Sequence, residues 1–258
     1  EVPRLPQRSD EIGLLARAVS DMTGALRQRI DAVDSFAADV AHEIKNPLAS
    51  LRNAVDTLPR VDDPELRQQL IGIAAHDVRR IDRLVTEIAA ASRVDAEISR
   101  ATLEKVDLAE LFANLIRSRE DRGMNGGRKL EMDAAPGPAH RIMGVPTQIE
   151  RVAENLIDNA VSFSPPDGTV HIRIRRAGRH VVTEVCDEGP GIAAERREDV
   201  FRRFHSDRPD GESFGNHSGL GLAIGRAIAE AHDGALTADG RPDGAEGACL
   251  RLSLPAAT

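Results

Sequence analysis

The chain has 258 residues, enough for one or two domains with a real core. Its net charge is −8 and no basic cluster dominates, which argues against nucleic acid as a partner. No stretch approaches the roughly 18 apolar residues of a membrane span, and no signal peptide is recognisable. The chain starts at Glu1 with no Met, as expected of a fragment whose membrane part was left out. The two cysteines, Cys186 and Cys249, form no spaced motif and read as reduced thiols in a cytosolic compartment.

Glu1 to Pro6 is a proline-punctuated entry. Ser9-Asp10-Glu11-Ile12-Gly13 opens a helix, with Ser9 or Asp10 as its N-cap. Ile12, Leu15, Val19, Met22, Leu26, Arg29 or Ile30, and Val33 continue a near-heptad stripe into the next stretch. There Val33, Ala37, Val40, Ile44, Leu48, Leu51, Val55 and Leu58 recur at steps of three and four, one buried stripe.

His42 lies two residues from both Val40 and Ile44, about 200° of helical rotation from each, so it points off the stripe toward solvent. Asn46 shares its face one turn below, and Glu43 is the next residue, about 100° round. Three readings of His42 compete. The plainest is a solvated helix face. A zinc site of the H-E-x-x-H kind would need a second histidine at position 46, where Asn stands. In the third, His42 is a nucleophile whose Nδ1–H is held by Glu43, leaving Nε2 free to attack. Pro47 removes an amide donor and crowds the carbonyl of Glu43, which predicts a bend beside the nucleophile.

Leu58 to Pro64 is a turn, with Asp63 capping the next helix and Pro64 in its first turn. Ile71, Ala74, Val78, Ile81, Val85 and Ile88 form its seam. Two amphipathic helices and a short turn make an antiparallel hairpin. One hairpin cannot bury both stripes well, so pairing of two copies into a four-helix bundle is the expected solution. His76 lacks companions like those of His42 and reads as ordinary surface.

Ser92 to Ala101 loses the periodicity and reads as an interdomain linker. Helices are then predicted at Leu108 to Arg119, Thr147 to Phe163 and Leu220 to His232. Short strands are predicted at Lys129 to Met132, His140 to Met143, Ala235 to Ala238 and Ala248 to Leu254. Val170 to Arg175 and Val181 to Cys186 alternate with period two around a turn at Gly178. The sum is α+β: a helical hairpin followed by an α/β sandwich, a mixed sheet covered by helices on one face.

His42 to Leu48, HEIKNPL, resembles the H-box of sensor histidine kinases of two-component systems. SDEIGLLARAVSDM resembles the last helix of a HAMP linker. Four later stretches resemble, in the family's order, the boxes of its ATP-binding domain. Asn155-Leu156-Ile157-Asp158-Asn159-Ala160 resembles the N-box and Asp187-Glu188-Gly189-Pro190-Gly191-Ile192 the G1 box. Val200 to Phe204 resembles the F-box, and Ser218-Gly219-Leu220-Gly221-Leu222-Ala223-Ile224 the G2 box. FHSDRPDGESFGNHSGLGLAI is especially like acid- and envelope-responsive kinases of alphaproteobacteria.

The resemblance implies four regions: 1–30, the end of a HAMP linker; 31–95, a dimerisation and phosphotransfer hairpin; 96–104, a linker; and 105–258, an ATP-binding domain of the Bergerat (GHKL) fold. It implies ATP and Mg²⁺ as cofactors, with Asn159 on the metal through its amide oxygen and Asn155 beside it. Phe163 would lie near the adenine and Asp187 would accept from the adenine amino group. Gly189 and Gly191 would let the backbone approach, and Ser218, Gly219, Leu220 and Gly221 would meet the phosphates. His42 would be phosphorylated, Glu43 would orient it, and Asn46 would position a water for dephosphorylating the partner. That partner is a response-regulator receiver domain. The molecule would be a homodimer, the cytoplasmic portion of an inner-membrane protein.

Two positions depart from the family pattern. Ser162 stands where relatives have a basic residue, and His205-Ser206 stand where many have an Arg. Arg208, Arg202 or Arg203 is left to supply that charge, with Arg208 the expected one. The alternatives are a gyrase- or chaperone-like ATPase, which would carry a water-activating Glu where Asn155 stands, and a degenerate nucleotide-binding scaffold.

Overall fold

The computed structural model describes residues 11–91, 102–135, 137–203 and 219–257. The caps Ser9 and Asp10, the linker at Ser92 to Ala101, Phe204, the segment His205 to Asn216 with Arg208, and Ser218 lie outside the described residues. The chain divides into two compact units, Glu1–Ile81 and Asp82–Thr258.

The first unit is helical, and the division falls within its second helix. Helix α1 runs Glu11–Thr57, and α2 runs Pro64–Ala91 after a single 3₁₀ turn at Leu58–Arg60. The leader stripe and the His42 stretch thus form one helix, which continues through Pro47. Pro47 itself is buried. Helix α2 begins as expected: Pro64 is its first residue, and Asp63 Oδ1 accepts the amide of Glu65 at 2.9 Å. The seam is only part-buried. Pro47, Ala54 and Asp77 are covered, while Leu48, Val55, Ile71 and Val78 stay about half exposed. One hairpin leaves that apolar surface in water, at roughly 25 cal/mol per Å².

The second unit holds a five-stranded sheet in the order β2-β4-β5-β7-β6. The strands are β2 Lys129–Ala134, β4 Thr169–Ala177, β5 His180–Cys186, β6 Ala235–Gly240 and β7 Ala248–Pro255. β2 runs parallel to β4 and every other pair is antiparallel. A separate pair joins β1 (Glu104–Asp107) to β3 (Arg141–Gly144). The sheet packs against helices α3 (Leu108–Asp121), α4 (Pro146–Phe163) and α5 (Gly221–Ala231).

Period-two alternation builds the core. Val170, Ile172 and Ile174 of β4, Val181, Thr183 and Val185 of β5, and Leu250, Leu252 and Leu254 of β7 are all buried. The register sets Ile172 against Val185, Val185 against Leu250, and Leu236 against Leu252. Phe112 of α3, Leu156 and Ile157 of α4 and Ile228 of α5 close over them. The other face carries charge. Glu184 is buried beneath Arg175 and Arg251, whose guanidinium nitrogens reach its Oε1 at 3.2 and 3.0 Å. Both cations lie on neighbouring strands, so the carboxylate is covered without being left unpaired.

The cysteines correct the expectation of free thiols. The register places Cys186 directly opposite Cys249, with Cα atoms 4.0 Å apart, and the structure joins them in a disulfide. They lie 63 residues apart in sequence. Only the adjacency of β5 and β7 brings them together, and no spacing motif encodes that. Cysteine usage therefore gives no argument for a reducing compartment.

Two side chains fix the helix ends that matter most. Asp107 caps α3 by accepting the amides of Ala109 and Glu110 at 3.1 and 3.4 Å. His232, buried after α5, has Nδ1 2.8 Å from the Ile228 carbonyl, and its Nε2 accepts the amide of Val145, the N-cap of α4, at 3.1 Å. That pair of bonds requires the neutral ring with its proton on Nδ1. The imidazole ties the end of α5 to the start of α4. His232→Ala is expected to lower the stability of this unit by about 2–4 kcal/mol, from the Val145 amide left unpaired, the lost bond to the Ile228 carbonyl and the cavity behind them. Urea unfolding followed by circular dichroism checks it.

Candidate functional site

The first unit presents His42. Its side chain is exposed on α1, as is Asn46 one turn on, and Glu43 is half-buried beside them. Glu43 faces the opposite helix. Its Oε2 accepts from Arg80 of α2 at 3.2 Å. No hydrogen bond joins Glu43 to His42 among the described contacts, so the neighbouring carboxylate is held across the hairpin rather than on the ring.

In the second unit, α4, α5 and the loop after β5 converge. Asn155 donates through Nδ2 to the carbonyl of Gly221, the first residue of α5, at 3.0 Å. A Cβ on Gly221 would lie 3.4 Å from the Asn155 amide, in ordinary van der Waals contact. Asn159 follows one turn on along α4 and is half-buried. Phe163, the last residue of α4, lies over Gly189: a Cβ there would come within 2.6 Å of the Phe163 carbonyl. Arg128 holds this end of α4 with Nε and Nη2 on the Ser164 carbonyl at 3.2 and 2.9 Å.

Asp187 is the first residue after β5 and is buried. Its Oδ1 accepts the amides of Gly189 at 2.9 Å and Ala248 at 3.0 Å. Oδ2 takes no part in either bond. Burial pushes the Asp187 carboxyl above its ordinary value, opposed by the two amides and by the charge of Arg241. Glu188 accepts the amide of Thr169 at 2.9 Å, which anchors the loop to β4. Gly191 has φ +76° and sits against the Gly247 carbonyl.

Beyond this loop, Phe201 is buried under the guanidinium of Arg226, 5.0 Å from the ring centre. Gly219, at φ +70°, and Leu220 lead into α5. Leu220 is fully buried.

The contacts therefore bring together Asn155 with Gly221, Phe163 with Gly189, and Asp187 with Gly189. Sequence reading passed over several supports. Arg119 of α3 is buried and bonds to Asp158 of α4 at 2.7 Å, next to Asn159, and to Asn125 at 3.1 Å. Arg241 donates to the Asp187 carbonyl at 3.5 Å and is held by Asp243 at 2.6 Å. Asp243 is pulled down to about 2 by that bond. None of these partners is a fixed helical step away, so no periodicity marks them.

The geometry defines a class: a histidine-bearing helical hairpin in one chain with a helix-covered sheet whose glycine loop surrounds a buried carboxylate. Comparison with known proteins places both parts. Residues 32–97 match the His Kinase A (phospho-acceptor) domain, and residues 144–258 match the histidine kinase-, DNA gyrase B- and HSP90-like ATPase domain. The chain belongs to the sensor histidine kinases. It is 46% identical over 265 residues to the Sensor protein ChvG of Rhizobium meliloti, covering 99% of this chain and 46% of that protein. It is 45% identical to the ChvG of Agrobacterium fabrum, covering 100% and 45%. It thus spans about half the length of these relatives. The solved structure of histidine kinase ThkA in complex with the response regulator protein TrrA matches with a TM-score of 0.67 at 26% identity, over 90% of this chain and 64% of that one.

Proposed function

We propose that this chain is the catalytic part of a sensor kinase that phosphorylates its own His42 from ATP and passes the phosphoryl group to an aspartate of a receiver-domain partner. The observation that carries it is the pairing, in one chain, of an exposed histidine on a phosphoacceptor-type hairpin with an ATPase-type domain. The ThkA relative was solved with a response regulator, which supports that class of partner. The half-exposed apolar seam of the hairpin supports a homodimer.

In the second unit, Asp187 Oδ2 receives the adenine amino group, Phe163 covers the base, and Gly189 and Gly191 let the loop backbone approach the nucleotide. Asn155 keeps the start of α5 in place, so that the amides at Gly219, Leu220 and Gly221 and the helix dipole face the phosphates. Arg208 and Ser218 are assigned to the phosphates on family resemblance alone. The Asn159 amide oxygen is a hard donor suited to Mg²⁺; when bound, that ion neutralises phosphate charge.

His42 Nε2 then attacks the terminal phosphorus in line. A new N–P bond forms as the bond to ADP breaks, and ADP leaves with that electron pair. Glu43 takes up the Nδ1 proton, a kind of assistance typically worth about 10² to 10⁴ in rate. Asn46, one turn from His42, positions the water that dephosphorylates the partner. The DEIG helix ahead of His42 is read as the end of a HAMP linker, and a membrane-borne sensor preceding it fits the greater length of the relatives. Nothing in the fold or the comparisons favours the degenerate scaffold.

The test is labelling with γ-labelled ATP and Mg²⁺, comparing the chain with His42→Gln. The expected label is acid-labile, alkali-stable and absent from the variant, which still binds nucleotide. Label persisting in His42→Gln would overturn the assignment of the acceptor.

A further inference from the structure

We propose that Arg80 is a positioning residue for phosphoryl transfer: it holds Glu43 so that one carboxylate oxygen is kept for the His42 ring. This rests on the reading that His42 is the acceptor and Glu43 its base.

The Arg80–Glu43 bond spans the hairpin, joining residues 37 apart in sequence. It differs from the pairs on the helix surfaces. Arg52 and Asp56, an i,i+4 pair at 3.6 Å, are 82% and 66% exposed, whereas Arg80 and Glu43 are 23% and 25% exposed. Exposed pairs of the first kind hold little in place. Arg80 is also confined by packing, because its Nε is buried with no protein partner. A second carboxylate, Asp77, lies one turn earlier on α2 and is buried. The ion pair nevertheless goes to Glu43, the residue next to His42.

The bond uses Oε2 alone. Adjacent residues on a helix diverge by about 100°, so an untethered Glu43 would spread over many rotamers, few of them near the imidazole. Fixing Oε2 on the opposite helix confines the search and leaves Oε1 to accept the Nδ1–H. The arrangement is that of a nucleophile, a base and a third group that orients the base. During transfer the Nδ1 proton moves to Glu43 while the N–P bond forms at Nε2, and Arg80 neither gains nor loses a proton.

Steady-state autophosphorylation of the whole chain tests this with Arg80→Ala and Arg80→Lys, each alone and combined with Glu43→Gln. Arg80→Ala is expected to lower kcat about tenfold or more, as misplacement of a reacting group does, with KM for ATP unchanged. Arg80→Lys should recover part of the loss. In the Glu43→Gln background, Arg80→Ala should cost less than about twofold, the signature of two residues acting as one unit. An equal loss in both backgrounds, or a loss carried by KM, would overturn the proposal. The His42→Gln labelling result is independent of these ratios, so failure of the acceptor assignment and failure of this proposal give different data.

Discussion

Asp187→Asn is expected to cut ATP affinity about 100-fold, equivalent to about 3 kcal/mol, while leaving the domain folded. The carboxylate does two jobs with two oxygens. Oδ1 accepts the Gly189 and Ala248 amides and so shapes the loop; the amide oxygen of Asn can accept the same two bonds. On the proposed reading Oδ2 accepts from the adenine amino group. Asn puts an NH₂ there, two donors face each other, and a buried donor is left unpaired. The stability of the variant should also depend on pH in a defined direction. The folded-state value of Asp187 is raised above 3.8. Wild type therefore loses stability as pH rises from the unfolded value through the folded one, because folding then buries a charge. Asn carries no such charge. The difference in Tm, variant minus wild type, should grow over that interval and stay constant above it. Isothermal titration with ATP and thermal melts across pH check both parts. An unchanged affinity would remove Asp187 from the site.

Gly247→Ala should unfold or severely loosen the same domain, at a cost of about 3–5 kcal/mol. Gly247 has φ +137°, which an L side chain rarely adopts. An added Cβ would lie within 2.1 Å of the Asp187 carbonyl, and that is backbone, which cannot swing aside. The neighbours are fixed as well: Asp187 N donates to the Ala248 carbonyl at 2.9 Å, and the next residue pair is the cystine. Whatever relief is found must displace Asp187 or Gly191, since a Cβ on Gly191 would already sit 3.0 Å from the Gly247 carbonyl. Urea unfolding gives the stability loss. Nucleotide binding by any folded remainder should fall with it. A variant of native stability would show that this corner yields more easily than its contacts imply.

These two positions differ in how readable they are. Asp187 is visible in sequence because a carboxylate followed by spaced glycines at the end of an alternating strand is a local pattern. Gly247 is not, because its constraint comes from a loop 60 residues away. The same division runs through the fold. Val170 to Arg175 and Val181 to Cys186 are predicted as strands about a turn at Gly178, and they pair antiparallel across it, although Val181 to Cys186 is buried on both faces. Glu104-Lys105-Val106-Asp107 has one apolar residue in four and gives no strand signal, yet it pairs with β3 because Val106 is buried opposite Ile142. The stretch around His140 reads as a strand of the main sheet but pairs with β1 apart from it.

At the candidate site, helical spacing places His42, Glu43 and Asn46 on α1, and Asn155 and Asn159 on one face of α4. What spacing cannot supply is the partner from another element. Arg80 for Glu43, His232 for Val145, Arg119 for Asp158 and Cys249 for Cys186 are all products of packing and register. The expectation of free thiols failed for that reason.

The continuity of α1 has a mechanical meaning. At about 1.5 Å per residue its 47 residues make a rod of roughly 70 Å. Hydrogen bonds along the rod resist twisting, so a rotation imposed near Glu11 arrives at His42 instead of dissipating in a loop. Both Glu43 and Asn46 turn with it. A turn of the shaft would change which side of it the imidazole shows, and with it whether Glu43 still meets the guanidinium across the hairpin.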